Sequence, residues 1–319
     1  MKKILCAGII TCDTMLRGIS HMPAPGDAVG LTGVEVHVGG CGGNFAIDLA
    51  RLGIPVMLSA RIGKDRYGDM VMEILEEYKD LIDMRSLVRD SEQGTTFSAV
   101  CIFENGERSI LCNMGSTLRF SREDIMEECI RDCDIFFVAG SLLLNEFEKN
   151  GEAELLKRLQ SEGKFTAMDT CYDVEEVWLP KIKDAIPHLD LFMPSYNEAA
   201  RLSGLENVDE IADFFLQMGA GNVILKMGSK GVYMCCKGKP RHYIPAILNE
   251  NVVDTTGAGD SFCAGFMAGL ALGWDFDRCA MLGNAMGYCC VGSMGPQAGI
   301  RPLNEMLPLV EQQEKAAVG

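Results

Sequence analysis

Asp254-Thr255-Thr256-Gly257-Ala258-Gly259-Asp260-Ser261-Phe262-Cys263-Ala264-Gly265 is the stretch around which this 319-residue chain is organised. It follows a short apolar run and opens a helical pattern. Phe262, Phe266, Met267 and Leu270 recur at three- and four-residue steps, and Gly273 stands where the helix would stop. Gly257, Ala258 and Gly259 leave the backbone bare at a helix N-terminus, where free N–H groups attract an anion. A carboxylate at position 260 would repel that anion. It belongs there if it takes a proton from a hydroxyl while the amides hold the group that the hydroxyl attacks. The structural alternative is a glycine turn in which Asp260 caps the helix.

Composition narrows the class. Hydrophobic residues make up 48% of the chain, enough for one large α/β domain or two smaller ones. A net charge of −16 argues against nucleic acid or an anionic membrane as partner, but leaves room for a phosphate held by local amides. The N-terminus reads as a first strand and lacks a signal peptide, and no apolar run is long enough to span a membrane. Fourteen cysteines without a Cys-x-x-Cys pair, and four scattered histidines, suit a reduced, cytoplasmic protein and no zinc site.

Upstream, residues 3–10 read as a strand ending near Gly8, with Asp13 in the loop beyond its carboxyl end, as a ligand contact or a turn residue. An extended piece over 28–38 runs into Gly39-Gly40-Cys41-Gly42-Gly43-Asn44, and a helix follows with Phe45, Leu49 and Leu52 on one face. The dinucleotide-binding fingerprint fails here, because no third glycine stands in register. Asn44 suits hydrogen bonding to a polyhydroxylated ligand, or serves as an ordinary N-cap. The spacing predicts a strand over 56–62 and a helix over 66–79. Thr95–Phe103 and Arg108–Asn113 then form a hairpin around an Asn105-Gly106 turn. With the 28–38 piece, this hairpin makes a small sheet outside the main one, a lid over a site or a dimer contact. Further strands are expected at 134–139, 164–169, 190–193 and 223–227. Helices are expected at 122–131, 150–162, 196–203, 208–219, 275–292 and 303–314. This alternation is that of a doubly wound, mostly parallel sheet.

The two glycine stretches, in this order and some 210 residues apart, resemble the paired signatures of the ribokinase (PfkB-type) carbohydrate kinase family. The resemblance runs from Gly8 to about Pro302. It implies one ribokinase-like α/β domain over 1–319, with a β-sheet lid from about 14–38 and 94–113. It further implies ATP-dependent phosphorylation of a primary hydroxyl, with Mg²⁺. Asp260 would be the catalytic base and Gly257, Ala258 and Gly259 the anion hole. Asp13, Gly39, Gly40 and Asn44 would face the sugar hydroxyls. Glu198 would organise Mg²⁺ through water, Lys226, Gly228 and Gly231 would lie along the nucleotide, and Asn284 beside the adenine. Asp254, Thr256 and the loop near Ser293 and Gly295 match a monovalent-cation site in relatives that use K⁺. The lid sheet would be the surface for a homodimer.

The sequence also departs from the family pattern. Ser195 replaces the asparagine expected three residues before Glu198, and Gly140-Ser141-Leu142-Leu143 lacks an acidic residue that some relatives carry, which speaks against ribose itself. A Walker loop and the protein-kinase motifs are absent. The acceptor stays open between a sugar, a sugar acid and a nucleoside. An acid would want Arg17 or Arg108, and a base would want Phe97 or Phe103 to stack on, unless those two are lid packing. A non-catalytic sensing relative on the same scaffold is the rival of a different class.

Overall fold

The strand β1 (Ile4–Gly8) is buried at every position, and its side chains alternate between two cores. Ile4 and Cys6 pack on one side, Leu5 and Ala7 on the other, as expected of a strand covered on both faces. The computed structural model describes residues 1–105 and 107–318. After β1 come β2 (Thr11–Ile19), β3 (Gly33–Gly39), β4 (Val56–Gly63), β5 (Ile82–Asp90), β6 (Phe97–Phe103) and β7 (Arg108–Asn113). The second half adds β8 (Ile135–Ser141), β9 (Phe165–Thr170), β10 (Leu191–Phe192), β11 (Val223–Lys226), β12 (Val232–Cys235) and β13 (His242–Ile244). Nine strands form one sheet in the order β13-β12-β11-β10-β9-β8-β1-β4-β5. Every pairing in it is parallel except β11 with β12 and β12 with β13. Helices cover both faces, the doubly wound arrangement that the alternation predicts.

The remaining strands form a separate sheet, β3-β2-β6-β7. Here three expectations need correction. Asp13 is not in a loop but inside β2, because the chain leaves the main sheet at Ile9 and enters the second one two residues later. The extended piece is shorter than 28–38, with only Gly33–Gly39 paired. Residues 122–131 are not one helix: a 3₁₀ turn over Arg122–Asp124 is capped by Ser121, and a short helix, Glu127–Asp132, follows a break at Ile125 and Met126. The hairpin strands pair as expected, Phe97 opposite Asn113 and Ile102 opposite Arg108, while Gly106 of the expected turn lies outside the described residues. The strand β5 was not legible, since its buried positions Ile82, Ser86 and Asp90 fall four apart and include two polar residues.

Behind the main sheet, helices Ala258–Ala271 and Phe276–Val291 pack backbone to backbone. A β-carbon on Gly265 would stand 2.8 Å from the Leu282 carbonyl, and one on Gly283 2.6 Å from the Phe262 ring. This close approach holds the Gly257 end of its helix at the carboxyl edge of the sheet. Gly283→Ala should therefore lower unfolding free energy by about 1–3 kcal/mol through overpacking. Urea unfolding measures it, and an unchanged midpoint would refute the packing role.

Candidate functional site

Gly257 has a left-handed backbone (φ +78°) and precedes helix Ala258–Ala271. A β-carbon there would lie 2.6 Å from that of Pro296, so only glycine makes the turn. The helix is buried from Ser261 to Ala271, while Gly259 at its tip is exposed. The Gly257 and Gly259 amides have no hydrogen-bond partner among the described residues, and Ala258 N–H makes only a long bond of 3.4 Å to the Thr255 carbonyl. Free N–H groups at a helix tip are donors that can meet an anion.

Helix Cys41–Leu52 brings the other glycine stretch to the same place. Gly40, not Asn44, precedes the helix, and no side chain caps it, so Asn44 is free for another task. Its Nδ2 donates to Asp260 Oδ2 at 2.7 Å. Its Oδ1 accepts from Gln297 Nε2 at 2.5 Å, and the same Nε2 also donates to the Val38 carbonyl at 2.7 Å. Gln297 is buried and holds the Asn44 amide in the orientation that faces Asp260. It lies beyond both glycine motifs, and no sequence signal marked it.

Asp13 stands in β2 opposite His37 of β3 and Ser98 of β6. Its Oδ1 accepts from Thr11 Oγ1 at 2.5 Å and Ser98 Oγ at 2.7 Å. A β-carbon on Gly39 would overlap Asp13 Oδ2 at 1.8 Å, so glycine is required there for the carboxylate to fit. Burial raises the Asp13 pKa, against the two hydroxyl hydrogen bonds and the charge of His37, which lower it.

Asp260 is partly exposed but closely enclosed by protein. Burial raises its pKa above the ordinary carboxylate value, and the Asn44 hydrogen bond, the Lys226 charge and the Cys41 thiol pull the other way. Cys41 also faces the Cys171 thiol, and that contact, burial and nearby carboxylates push its pKa well up, which leaves it a poor nucleophile. Lys226, at the end of β11, pairs with the buried Asp169 at 2.6 Å. A β-carbon on Gly259 would be 3.4 Å from Lys226 Nζ, so the ammonium borders the anion turn. Burial alone would lower the Lys226 pKa, and the facing Asp169, Cys263 and Glu198 raise it instead. Burial pushes Asp169 up to about 7, moderated by Lys226. Asp169 was not singled out from sequence, although its place at the carboxyl end of β9 marks the ligand edge of a parallel sheet.

A cavity of about 400 Å³ adjoins the turn, lined among others by Lys226, Gly228, Gly231, Gly259 and Asn284. Asn284 reaches its wall, but its Nδ2 is committed to the Pro245 carbonyl at 3.0 Å and to Gln313 Oε1 at 3.2 Å. Ser195 and Glu198 form a reciprocal cap on helix Tyr196–Ser203. Glu198 Oε2 accepts from Ser195 N–H and Thr170 Oγ1, both at 3.0 Å, and Oε1 has no partner among the described residues. No group of three His, Cys, Asp or Glu residues that could hold a metal exists among the described residues. A divalent ion would therefore need oxygens from a ligand beside Glu198. At the expected monovalent-cation loop, the Arg108 guanidinium lies against Asp254 and Thr256. Among the described residues no helix is long and apolar enough to cross a membrane.

The profile of the family described as "pfkB family carbohydrate kinase" matches residues 1–302. A ribokinase of Arabidopsis thaliana is 24% identical over 92% of this chain and 77% of its own length. A nucleoside kinase of Methanocaldococcus jannaschii is 23% identical over 98% of each chain. Among solved structures, a putative ribokinase II from E. coli in complex with ATP and Mg²⁺ superposes with a TM-score of 0.82 at 24% identity, covering 98% of this chain and 100% of that one.

The Lys226–Asp169 pair yields a test that needs no ligand. Lys226→Met leaves a buried carboxylate without its cation, at a cost of about 3–5 kcal/mol when Asp169 is ionised. A carboxyl whose folded pKa is raised binds the extra proton in the native state, so stability falls as pH rises through that pKa. The deficit against the parent should thus be larger at about pH 8 than at about pH 5, read by denaturant unfolding at both. A pH-independent deficit would contradict this account.

Proposed function

The chain belongs to the pfkB family of carbohydrate kinases, and from that membership we propose that it transfers the γ-phosphoryl group of ATP to a primary hydroxyl of a small neutral sugar, with Asp260 as general base. The observation that carries the reading is the 2.7 Å hydrogen bond from Asn44 to Asp260. It joins the tips of the two glycine-led helices, which supports reading Asp260 as proton acceptor beside the helix-tip amides. Asp260 takes the hydroxyl proton, and burial, which raises its pKa, strengthens it as a base. The amides of Gly257, Ala258 and Gly259 meet the charge that spreads over the transferring phosphoryl oxygens, a contribution of about 3–4 kcal/mol per donor in comparable holes. Lys226 adds a fixed positive charge at the same edge, and Gly228 and Gly231 line the cavity assigned to the nucleotide. Asp13, Gly39, Gly40 and Asn44 are the proposed acceptor contacts.

Glu198, with Oε1 unpartnered, would hold through water the Mg²⁺ that accompanies the nucleotide, where the ion neutralises phosphate charge. The Asn284 amide, tied to Pro245 and Gln313, shapes the wall beside the base and offers it no N–H. The second sheet is the proposed lid, which must keep water from acting as acceptor. We place the enzyme in the cytoplasm on its cysteine content.

The neutral sugar rests on what the candidate side chains are already doing. Arg17 pairs with Glu35 at 2.8 Å and Arg108 with Asp254 at 2.6 Å, so each guanidinium already has a carboxylate partner, which disfavours a sugar carboxylate. Phe97 packs on Tyr67, with ring centroids 4.9 Å apart, which disfavours base stacking. A panel of pentoses, ketohexoses, sugar acids and nucleosides, scored by ADP release, tests the acceptor. Turnover confined to nucleosides or acids would overturn this choice. Asp260→Asn should lower kcat by about 10²-fold or more while nucleotide affinity is kept. Near-normal turnover would remove Asp260 from its role. The edge strand β7 is exposed along its whole length, Ile110 and Leu111 included, and we propose a second copy as its partner. Sedimentation should find a dimer that Ile110→Lys weakens, and a monomer in the parent would refute it.

A further inference from the structure

Arg108 opens β7 of the second sheet, 146 residues from Asp254. Its Nη1 donates to Asp254 Oδ1 at 2.6 Å and also meets Thr256 Oγ1, and its Nη2 donates to Thr255 Oγ1 at 3.1 Å. One guanidinium thus grips three successive residues that lead directly into Gly257. The Asp254 carboxylate is otherwise filled with donors. Oδ1 also accepts from Thr256 N–H at 2.9 Å and Thr256 Oγ1 at 2.7 Å, and Oδ2 accepts from Gly295 N–H at 3.3 Å. A metal cation needs oxygen lone pairs turned toward it, and this loop turns hydrogens and a positive charge into that place. The residues present therefore do not fit the K⁺ that the family resemblance suggests for them.

We propose that Arg108 is a positioning residue which supplies from the second sheet the positive charge of the Asp254–Thr256 loop, so that the anion turn is set when that sheet closes and no monovalent metal cation is required. The same contact explains the charge balance of the loop. Burial would raise the Asp254 pKa, and the Thr256 and Gly295 hydrogen bonds with the Arg108 charge lower it instead, keeping a carboxylate for the guanidinium to hold. The groove beside it is lined by residues of both parts, Met15, Phe103 and Arg108 from the second sheet and Val252, Asp254 and Met294 from the main body. A planar guanidinium, with donors on two nitrogens, can hold the carboxylate and both threonines at once, which an ammonium on a flexible stem cannot match.

The inference rests on the kinase reading for its kinetic consequence but not for the contact itself, and two experiments separate them. The first is amide hydrogen exchange on the ligand-free protein. Arg108→Ala should speed exchange in both 97–113 and 253–259, and Arg108→Lys should do so less. Unchanged exchange in Arg108→Ala would overturn the latch whatever the protein catalyses. The second is turnover of the best acceptor in tetramethylammonium, Na⁺ or K⁺ salts at matched ionic strength. The parent should be indifferent to the cation, and a K⁺ requirement in the parent would overturn the proposal without any variant being needed. Arg108→Ala should lose about tenfold to a hundredfold in kcat, with smaller change in KM, and regain part of it with added guanidinium or K⁺. A loss without such rescue would assign Arg108 a merely structural role. No ATP-dependent turnover of any acceptor by the parent would sink the kinase reading while exchange still decides the latch.

Discussion

One hydrogen bond sets the site: Asn44 to Asp260, between residues 216 positions apart in the chain. For it to form, two helices must bring their N-termini to a single point at the carboxyl edge of the sheet. Each helix begins at a glycine with positive φ, Gly40 and Gly257, and each packs so closely behind its glycines that little adjustment remains. The Asn44 amide has no freedom to turn, because Gln297 holds its oxygen and is itself held by the Val38 carbonyl. The carboxylate is thus aimed by packing and by a neutral donor, and among the described residues no salt bridge meets it. That distinguishes Asp260 from Asp169, which faces Lys226 and acts as its counterion.

The acidic side chains around the cleft illustrate how environment divides one chemical group into different roles. Asp13 is fixed by hydroxyl donors in the second sheet, Asp254 by a guanidinium and backbone amides, and Asp169 by an ammonium. Asp48, one helical turn beyond Asn44, is fully buried, accepts from Ser261 Oγ at 2.6 Å, and has its pKa raised well above the usual range by burial. It holds together the two helices that carry Asn44 and Asp260. Asp260 is touched by an amide and a thiol, and among the described residues it has no ion-paired cation.

Much of this was legible in the sequence because it depends on local rules. Glycines before an apolar period mark helix tips, and alternating helices and apolar strands mark the parallel sheet. The pair of glycine motifs carried the family, which the match over residues 1–302 bears out. What escaped reading depends on partners distant in sequence. The strand β2 follows β1 with only two residues between, and nothing in its composition says that the chain has changed sheets. Gln297 and Asp169 look ordinary until Asn44 and Lys226 are placed against them. Arg108 reads from sequence only as a cation for a sugar acid, because the carboxylate it meets lies 146 residues further along the chain. Ser195, which stands where the family pattern has asparagine, caps through its side chain the helix that presents Glu198, a role that needs the folded turn to be seen.

The span from Asn44 to Asp260 also bears on how the protein is made. A ribosome adding roughly 5–20 residues per second needs about ten to forty seconds to cover that interval. During that time the second sheet can be completed, since all its strands lie within residues 11–113, while Asn44 has no carboxylate to meet. The pairing of Asn44 with Asp260 waits for the second helix, and Gln297, which holds the Asn44 oxygen, is polymerised later still. The Asn44–Asp260 contact therefore forms late, and a polypeptide interrupted before it, however well it folds, would leave the exit tunnel without that contact.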